Sequence, residues 1–516
     1  MKKQVIFFYF LSFLEGASVM AAELLGAKML APYFGTSLYV WASVLGITLG
    51  GLAMGYFSGG ILSEKKNTER NLYYVLLASA LFLVLMPLMA KAVMIHTAGL
   101  SLILSILISS VVFLLPPVFF MGMVSPLIVQ CLLDNQADQI HRSGKAAGTV
   151  YGISTMGGIT ATFFLGFYCI PNFGLTKPAI IMGIILGVVP FVKLISAKKF
   201  FSLLFPLAAF ISFNSSKLPV ENSDIKILYS SEGLLGQIIV ADYPLYEGGK
   251  KADGSQRILF VNRSTQTIVT TKGGEKSFFE YVSLISEKTK TTTPANRHAL
   301  VLGLGGGSMA NELVKNGYEV EAVELDERMP EVAKKYFGLN ESVYVHMDDA
   351  RHFISRQKVE GRRQKYDAIV LDVFIGEVNP NHLFTQEFFA ELNPLLADSG
   401  NFFINGNGYW AGDIGKGMRS VCKTLVNSGF DVEVVPTGKN EDYRNLEFVS
   451  TISKNKIGKA TGNEISSVSL EDAIILSDEK PRLELLNEDA NKRWREGCMK
   501  YFLSGYYSGR DVLLFR

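Results

Sequence analysis

Long apolar runs, interrupted by few charges, occupy the first 213 residues of the chain. Six of these runs are long enough for the roughly 20 residues that a helix needs to cross a bilayer. The pattern therefore predicts an N-terminal, all-α, multi-span membrane domain over residues 1–213. The predicted spans are residues 4–26, 37–61, 71–95, 98–132, 147–170 and 177–195.

Prolines modify two parts of this pattern. Pro116 and Pro117 lie inside the fourth run, which is too long for one simple helix, so we expect a break there. A last apolar stretch, residues 200–213, contains Pro206 and is short for a span. We expect this stretch not to cross the membrane.

Beyond residue 213 the period of the pattern changes twice. Short apolar–polar alternations between residues 224 and 271 predict a small antiparallel β domain, assigned to residues 214–290. From His298 onward, short apolar strands alternate with helical segments, which predicts a doubly wound α/β domain over residues 291–516. The predicted strands are residues 299–304, 319–325, 343–347, 366–371 and 401–405, and the predicted helices are residues 308–316, 329–337, 385–396 and 415–428.

Charge is divided as unevenly as hydropathy. Residues 1–213 carry 19 charged side chains with a net charge of +7, whereas residues 214–516 carry 79 with a net charge of −5. The mildly acidic second part argues against a nucleic-acid partner. A wholly soluble enzyme and a transporter made only of spans are both excluded. Four cysteines without a Cys-x-x-Cys pair support neither a disulfide framework nor a zinc site, and we expect no metal.

The distribution of Lys and Arg predicts an orientation. With the N-terminus inside and six crossings, ten Lys and Arg residues lie on the inner side and three, Lys28, Lys91 and Lys177, on the outer side. Positive residues favour the cytoplasmic side. We therefore expect a multi-pass protein of the cell (inner) membrane, with the lipid bilayer as a partner and the second part in the cytoplasm. The sequence leaves open whether the chain forms a homo-oligomer.

Two acids, Glu15 and Glu23, fall within the first predicted span. Ionisable groups inside a bilayer are costly, which makes them candidates for function. They either line a path for a cation or pair with Lys28 or another buried polar group.

Chemistry-bearing residues follow the ends of the predicted strands. Gly303, Gly305 and Gly307 close the first strand and open a helix, where backbone N–H groups can approach a ligand. Glu324 ends the second strand, in position to accept hydrogen bonds from two ribose hydroxyls. Glycine turns also serve plain strand–helix packing, and a strand-end acid can simply face solvent.

The next two strands also end in acids. Asp349-Ala350 follows the third strand, where a carboxylate can accept from an adenine amino group, and Asp372 follows the fourth, at the mouth of the expected pocket. Asp349 is equally suited to cap the helix that begins at Ala350, and Asp372 to a turn. Together the four strand ends indicate an adenosine-containing ligand.

At these residues the chain resembles a spermidine synthase, that is, a polyamine aminopropyltransferase, of the branch fused to an N-terminal multi-span domain. Residues 23–28, 31–35 and 40–41 carry the likeness in the first part, and the glycine loop with residues 371–374 and 382–385 carries it in the second. The resemblance implies a small β domain followed by a Rossmann-like domain of the class I methyltransferase or spermidine synthase type. It also implies decarboxylated S-adenosylmethionine as co-substrate.

The resemblance further implies a role for each matching residue. Gln237 matches a glutamine of the β domain that contacts the co-substrate, Glu324 the acid that binds its ribose, and Asp349-Ala350 the adenine contact. Asp372 matches the aspartate that deprotonates the attacking amine. The chemistry needs such a base, because a protonated amine has no lone pair.

The departures from the family concern the acceptor amine. Ser308 stands where the family usually has an acid that grips the diamine, and Ile375 stands in place of a second aspartate. Phe278-Phe279-Glu280 stands in place of Tyr-His/Gln-Glu. The candidate acceptor-binding residues are Glu280, Ser308 and Glu377.

Three functions stay open from the sequence. The first is aminopropyl transfer from decarboxylated S-adenosylmethionine to a small-molecule amine, with Asp372 as base. The second is methyl transfer from S-adenosylmethionine, whose carboxylate Ser308 would tolerate better than an acid would. The third is a non-catalytic transport protein that senses a nucleoside or polyamine.

Overall fold

The structure, a computed structural model, describes residues 2–34, 38–97, 100, 102–134, 139–215, 225–247, 250–271, 276–291, 297–361, 364–454, 457–462 and 469–503. The chain forms two compact units. One is built on Met1–Glu221 with Ser231–Gln237, and the other on Asn222–Ser230 with Ile238–Asp511. Each is described by itself below.

The first unit is a bundle of apolar helices around one hydrophobic core. Six described helices are long and apolar enough to cross a membrane, as the hydropathy pattern predicts. The helices of this unit are α1 (Lys2–Phe34), α2 (Leu38–Ser63), α3 (Thr68–Thr97), α4 (Leu102–Phe113), α5 (Leu115–Asp134), α6 (Gln139–Phe164), α7 (Ile170–Phe173), α8 (Thr176–Ser196) and α9 (Leu204–Ser215).

The fourth predicted span is divided into α4 and α5 at Leu114, so the predicted break is confirmed. Pro116 and Pro117 occupy the first turn of α5. Backbone N–H groups in the first turn make no hydrogen bond within the helix, so proline is tolerated there. Of the two parts, α5 has the length of a span, and α4 is a shorter apolar helix.

The apolar stretch after α8 is helical and packs on the bundle. It forms a 3₁₀ turn, Phe200–Leu203, and then α9, which returns along α3: Phe201 packs against Tyr74, and Ser212 Oγ donates to the carbonyl of Val84 at 2.7 Å. The carboxylate of Glu232 then accepts from the backbone N–H of Leu175 at 2.7 Å. Residues 231–237 therefore lie at the α7–α8 end of the bundle, which the charge distribution assigns to the outer side. The expected six-crossing topology stays a prediction.

Most of a small sheet belongs to the second unit, and its neighbouring strands pair in chain order, β1-β2-β3-β4. Its hairpins β2–β3 and β3–β4 are antiparallel, as the alternating pattern predicts. The strands are β1 (Lys226–Gly233), β2 (Gly236–Glu247), β3 (Lys250–Val261) and β4 (Ser264–Thr270).

The larger sheet of this unit has eight strands in the order β12-β10-β11-β9-β8-β5-β6-β7. The strands from β9 to β7 pair in parallel, as predicted, whereas β11 is antiparallel to both of its neighbours. Hydrophobic clusters cover both faces. The strands are β5 (His298–Leu302), β6 (Glu319–Glu324), β7 (Tyr344–Met347), β8 (Tyr366–Leu371), β9 (Leu396–Asn407), β10 (Phe430–Pro436), β11 (Asn445–Ile452) and β12 (Ala460–Thr461).

The first helix of this unit, Glu280–Thr291, precedes β5 along the chain. The helix predicted over residues 385–396 ends at Leu392, because β9 begins at Leu396 rather than at Asn401. The helices are α10 (Glu280–Thr291), α11 (Ser308–Lys315), α12 (Met329–Phe337), α13 (Ala350–Val359), α14 (Gln386–Leu392), α15 (Lys416–Asn427), α16 (Leu483–Leu486) and α17 (Glu488–Leu503).

Candidate functional site

The glycine loop joins β5 to α11 at the carboxyl end of the parallel strands. Gly303, Gly305 and Gly307 all have positive φ, at 93°, 52° and 79°, a region that side chains rarely adopt. A Cβ on Gly303 would lie only 2.2 Å from the carbonyl oxygen of Asp372. The loop therefore fixes the ends of β5 and β8 against each other.

A residue of the small sheet holds the same loop. Thr267 of β4 is buried, and its Oγ1 accepts from the backbone N–H of Gly306 at 3.0 Å. The sequence offers no signal for this contact, because Thr267 lies in an ordinary alternating strand nearly forty positions before the loop.

Glu324 is anchored by backbone groups at the end of β6. One carboxylate oxygen accepts from the N–H of Leu304 at 3.1 Å, and the other from those of Leu325 and Asp326 at 2.8 and 2.9 Å. Burial raises the pKa of Glu324, and these N–H groups oppose the increase. The carboxylate is therefore fixed beside the glycine loop, at the position that the sequence predicts for a ribose.

Asp349 caps α13, which is the alternative role that the sequence suggests for it beside an adenine contact. One of its oxygens accepts from the N–H groups of Arg351 and His352 at 2.9 and 3.1 Å, and the other lies 3.1 Å from Nε2 of His382. His382 lowers the pKa of Asp349, as do the two N–H groups, although desolvation opposes them. Ala350 is buried in the first turn of α13.

Asp372 lies just beyond β8 between two donors. The hydroxyl of Tyr281, on α10, donates to one carboxylate oxygen at 2.7 Å, and the amide of Asn405, on β9, donates to the other at 2.8 Å. Burial raises the pKa of Asp372, and both hydrogen bonds act against that increase. The carboxylate is thus held in one orientation and partly hidden from water.

A second acid lies next to this network. Glu447 of β11 pairs across the sheet with Asn405 and is fully buried. Neither of its carboxylate oxygens has a hydrogen-bond donor among the described residues. Burial, and secondarily the charge of Asp372, raise the pKa of Glu447 well above its usual range. The side-chain amide of Asn445 donates to Asn405 at 2.8 Å and so orients the amide that holds Asp372.

Sequence reasoning finds Asp372 but misses its partners. Tyr281, Asn405 and Glu447 belong to α10, β9 and β11, and none of them stands in a recognisable motif. Only the pairing of β11 with β9 brings Glu447 to the end of β8.

The candidate acceptor-binding residues are not equivalent in the structure. Ser308 is half-buried at the start of α11, and Glu280 is exposed at the start of α10. Glu377 is buried, and Arg495 of α17 donates to both of its oxygens, at 2.9 Å from Nε and also from a terminal guanidinium nitrogen. Its charge is therefore already matched within the protein.

Gln237 is buried at the start of β2, in the segment Ser231–Gln237 of the first unit. Its contact with a co-substrate stays a prediction. Among the described residues, no group of three or more His, Cys, Asp or Glu side chains is arranged to hold a metal ion.

Residues 278–437, which include α10, the glycine loop and Asp372, match the family whose sequence model is described as the spermine/spermidine synthase domain. Residues 278–437 therefore carry a spermine/spermidine synthase domain. Among the similar proteins is the polyamine aminopropyltransferase of Vibrio vulnificus (strain CMCP6). It is 40% identical to this chain over 116 residues, which are 22% of this chain and 38% of that protein. The domain is accordingly a transferase domain, of the Rossmann-like fold described above.

Other relatives differ in their named activities. The N-terminal histidine N-methyltransferase of Emericella nidulans is 40% identical over 165 residues, 31% of this chain and 29% of that protein. A polyamine aminopropyltransferase of Methanocaldococcus jannaschii is 28% identical over 228 residues, 42% of this chain and 69% of that protein. The chain thus spans less than two-fifths of the first two relatives. The spermidine synthase structure from Thermotoga maritima aligns with a TM-score of 0.35 and 15% identity, over 54% of this chain and 96% of that one.

Proposed function

We propose that this chain transfers an aminopropyl group from decarboxylated S-adenosylmethionine to an amine acceptor. The observation that supports this most directly is the carboxylate of Asp372, held by Tyr281 and Asn405 where β8 ends beside the glycine loop. The family's polyamine aminopropyltransferases make the same class of reaction plausible here.

In this proposal the adenosyl co-substrate lies along the carboxyl ends of β5, β6 and β7. The glycine loop leaves room for backbone approach, Glu324 binds the ribose, and Asp349 with Ala350 contacts the adenine. Because Glu324 and Asp349 already accept backbone N–H bonds, they can meet the ligand without reorienting.

The chemical step needs a neutral amine and a close approach. Asp372 takes a proton from the acceptor ammonium, the nitrogen lone pair forms a bond to the propyl carbon that is attached to sulfur, and the bond between that carbon and sulfur breaks. The sulfonium leaves as neutral methylthioadenosine. Alignment of the two reactants supplies much of the rate, since little new charge develops on the leaving group.

The acceptor site combines exposed and buried groups. Glu280 and Ser308 are open to a ligand, whereas Arg495 neutralises Glu377, which instead holds the loop after Asp372. Glu447 adds a second carboxyl close to the base. In this proposal a small amine meets two buried acids, Asp372 and Glu447. Ile375 stands where the family has its second aspartate.

Methyl transfer is the second candidate, because the Emericella nidulans relative is an N-methyltransferase. S-adenosylmethionine keeps a carboxylate that its decarboxylated form lacks. Ser308 at the start of α11, in place of an acid, would accept that carboxylate without repulsion.

Calorimetric titration of the purified full chain with each sulfonium separates these candidates. Tighter binding of decarboxylated S-adenosylmethionine supports aminopropyl transfer, and tighter binding of the parent compound supports methyl transfer. Asp372→Asn should retain binding and lose turnover by about 10²- to 10⁴-fold. Asp398→Asn, at an exposed acid of the same unit, is the matched control. Binding of neither compound would refute the adenosyl site.

A further inference from the structure

The helical unit contains an open cavity of about 380 Å³. Its walls come from three helices, and most of its lining is apolar. Among its lining residues are Glu15 and Val19 of α1, Leu52 and Tyr56 of α2, and Ser154 and Phe163 of α6.

Glu15 supplies the carboxylate of this cavity. It is 1% exposed, and the hydroxyls of Ser154 and Ser125 both donate to the same oxygen, Oε2, at 2.9 and 3.4 Å. Within the described parts of the chain, Oε1 accepts no hydrogen bond. One oxygen is thus fixed by the protein, and the other is left for a ligand.

Close helix packing fixes the position of Glu15. A Cβ on the next residue, Gly16, would lie 1.9 Å from the carbonyl of Ser154, and a Cβ on Gly157 would lie 2.1 Å from the carbonyl of Phe13. These contacts hold α1 against α6 without space for rotation. The backbone of Glu15 is therefore fixed beside α6, close to the hydroxyl of Ser154 that holds its carboxylate.

The cavity has no positive group of its own, since none of its lining residues is Lys, Arg or His. A carboxylate in such apolar surroundings attracts a cation strongly. Tyr56 adds an aromatic ring to the lining, and its centroid lies 5.7 Å from that of Tyr151. The hydroxyls of Thr155 and Thr162, which also line the cavity, donate to carbonyls of their own helix. A single carboxylate among hydroxyl groups is a poor set of ligands for a hard metal ion.

From this cavity we infer a binding site for an organic monocation, a protonated amine carried on a compact apolar body. The ammonium group pairs with Oε1 of Glu15, and the apolar body contacts Val19, Leu52 and Phe163. The volume lies within the range of small-molecule pockets. The site belongs wholly to the first unit, and it stands or falls independently of the transferase proposal.

Calorimetry on the full chain in detergent micelles tests this site, with benzylamine as the probe and benzyl alcohol as its uncharged isostere. We expect benzylamine to bind at least tenfold more tightly than the alcohol. Glu15→Gln should weaken benzylamine binding at least tenfold. Glu23→Gln, at the other acid of α1, which does not line the cavity, should change it less than twofold.

A second variant keeps the test decisive if Glu15→Gln disturbs folding. Ile159 lines the cavity and is 54% exposed, so Ile159→Trp should narrow the cavity and weaken benzylamine binding while leaving Glu15 in place. Equal binding of the amine and the alcohol, unchanged binding by folded Glu15→Gln, or unchanged binding by Ile159→Trp would each overturn the inference.

Discussion

Three ionisable side chains, those of Tyr281, Asp372 and Glu447, share one buried region. Burial favours the neutral form of each and raises all three pKa values. Among these three, and counting the described residues, Asp372 alone accepts hydrogen bonds from neutral donors, which stabilise its negative charge. We therefore expect Asp372 to ionise first and Glu447 to stay protonated beside it.

The hydroxyl of Tyr281 should set the acid limb of the pH profile. Tyr281→Phe removes a donor to the ionised form of Asp372, so the pKa of that carboxyl rises further and a higher pH is needed to generate the base. We expect the acid limb of kcat/KM for transfer to move to higher pH. Tyr344→Phe, at an exposed tyrosine of the same unit, should leave the profile unchanged.

Glu447 should make the protein less stable as the pH increases. Its folded pKa lies above the unfolded value of about 4.3, so the fold prefers the protonated acid and stability declines as pH rises from that value towards the folded pKa. Glu447→Gln keeps the shape without the titration. Between pH 5 and 8 the parent chain should lose more unfolding free energy than this variant. Parallel pH dependences of the two unfolding curves would contradict the prediction.

At the scale of elements, the strand ends could be predicted and their surroundings could not. The apolar strands β5 to β8 and the residues that follow them are local features, and Gly303, Glu324 and Asp372 lie where the sequence places them. The surroundings of Asp372 depend on α10, β9 and β11. The local sequence pattern does not predict α10 or β11, and it predicts β9 with different ends. Sheet pairing, a tertiary effect, decides which side chains face the base.

Gly303→Ala should damage the site by collision as well as by backbone strain. The new Cβ would meet the carbonyl of Asp372, and the φ of 93° already disfavours a side chain. Gly361→Ala is the matched control, because it has a φ of 65° and no neighbouring atom within 4 Å. Thermal unfolding should show Gly303→Ala less stable than the control by at least about 1 kcal/mol, with loss of sulfonium binding. Equal effects of the two substitutions would mean that strain alone matters at Gly303.

At the scale of the whole molecule, the helical unit carries a surface that water would not favour. Phe57, Phe163, Phe167 and Phe210 are each more than half exposed on its helices. Large exposed apolar patches mark an interaction surface or a membrane face. Together with six helices of spanning length, they favour insertion into a bilayer.

The orientation of the chain is where two physical arguments conflict. The ten-to-three bias of Lys and Arg assigns the α7–α8 end to the outer side. Residues 231–237 lie at this end, whereas an adenosyl co-substrate is a cytoplasmic compound in the function proposed above. Local hydropathy could not predict the return of α9, because its apolar stretch is shorter than a span.

Cysteine labelling with an impermeant reagent in intact cells tests this geometry. Cysteines introduced at Lys177 and Ser231 should behave alike, because Leu175 and Glu232 are in contact. A cysteine at Lys65 should behave oppositely, since α3 and α8 run antiparallel between these ends. Labelling of Lys177 without Ser231, or the reverse, would contradict the structure. The unsubstituted chain supplies the background of its four native cysteines.

The ion pair between Glu377 and Arg495 also constrains how the protein is made. Arg495 leaves the ribosome 118 positions after Glu377, so the loop that follows Asp372 is synthesised long before its counter-ion exists. A chain that stalls ahead of α17 would have to bury an unpaired carboxylate, which costs several kcal/mol, or leave the loop open. Correct closure of the site is thus reserved for nascent chains that have been translated past Arg495, and we expect products terminated before that residue to be inactive.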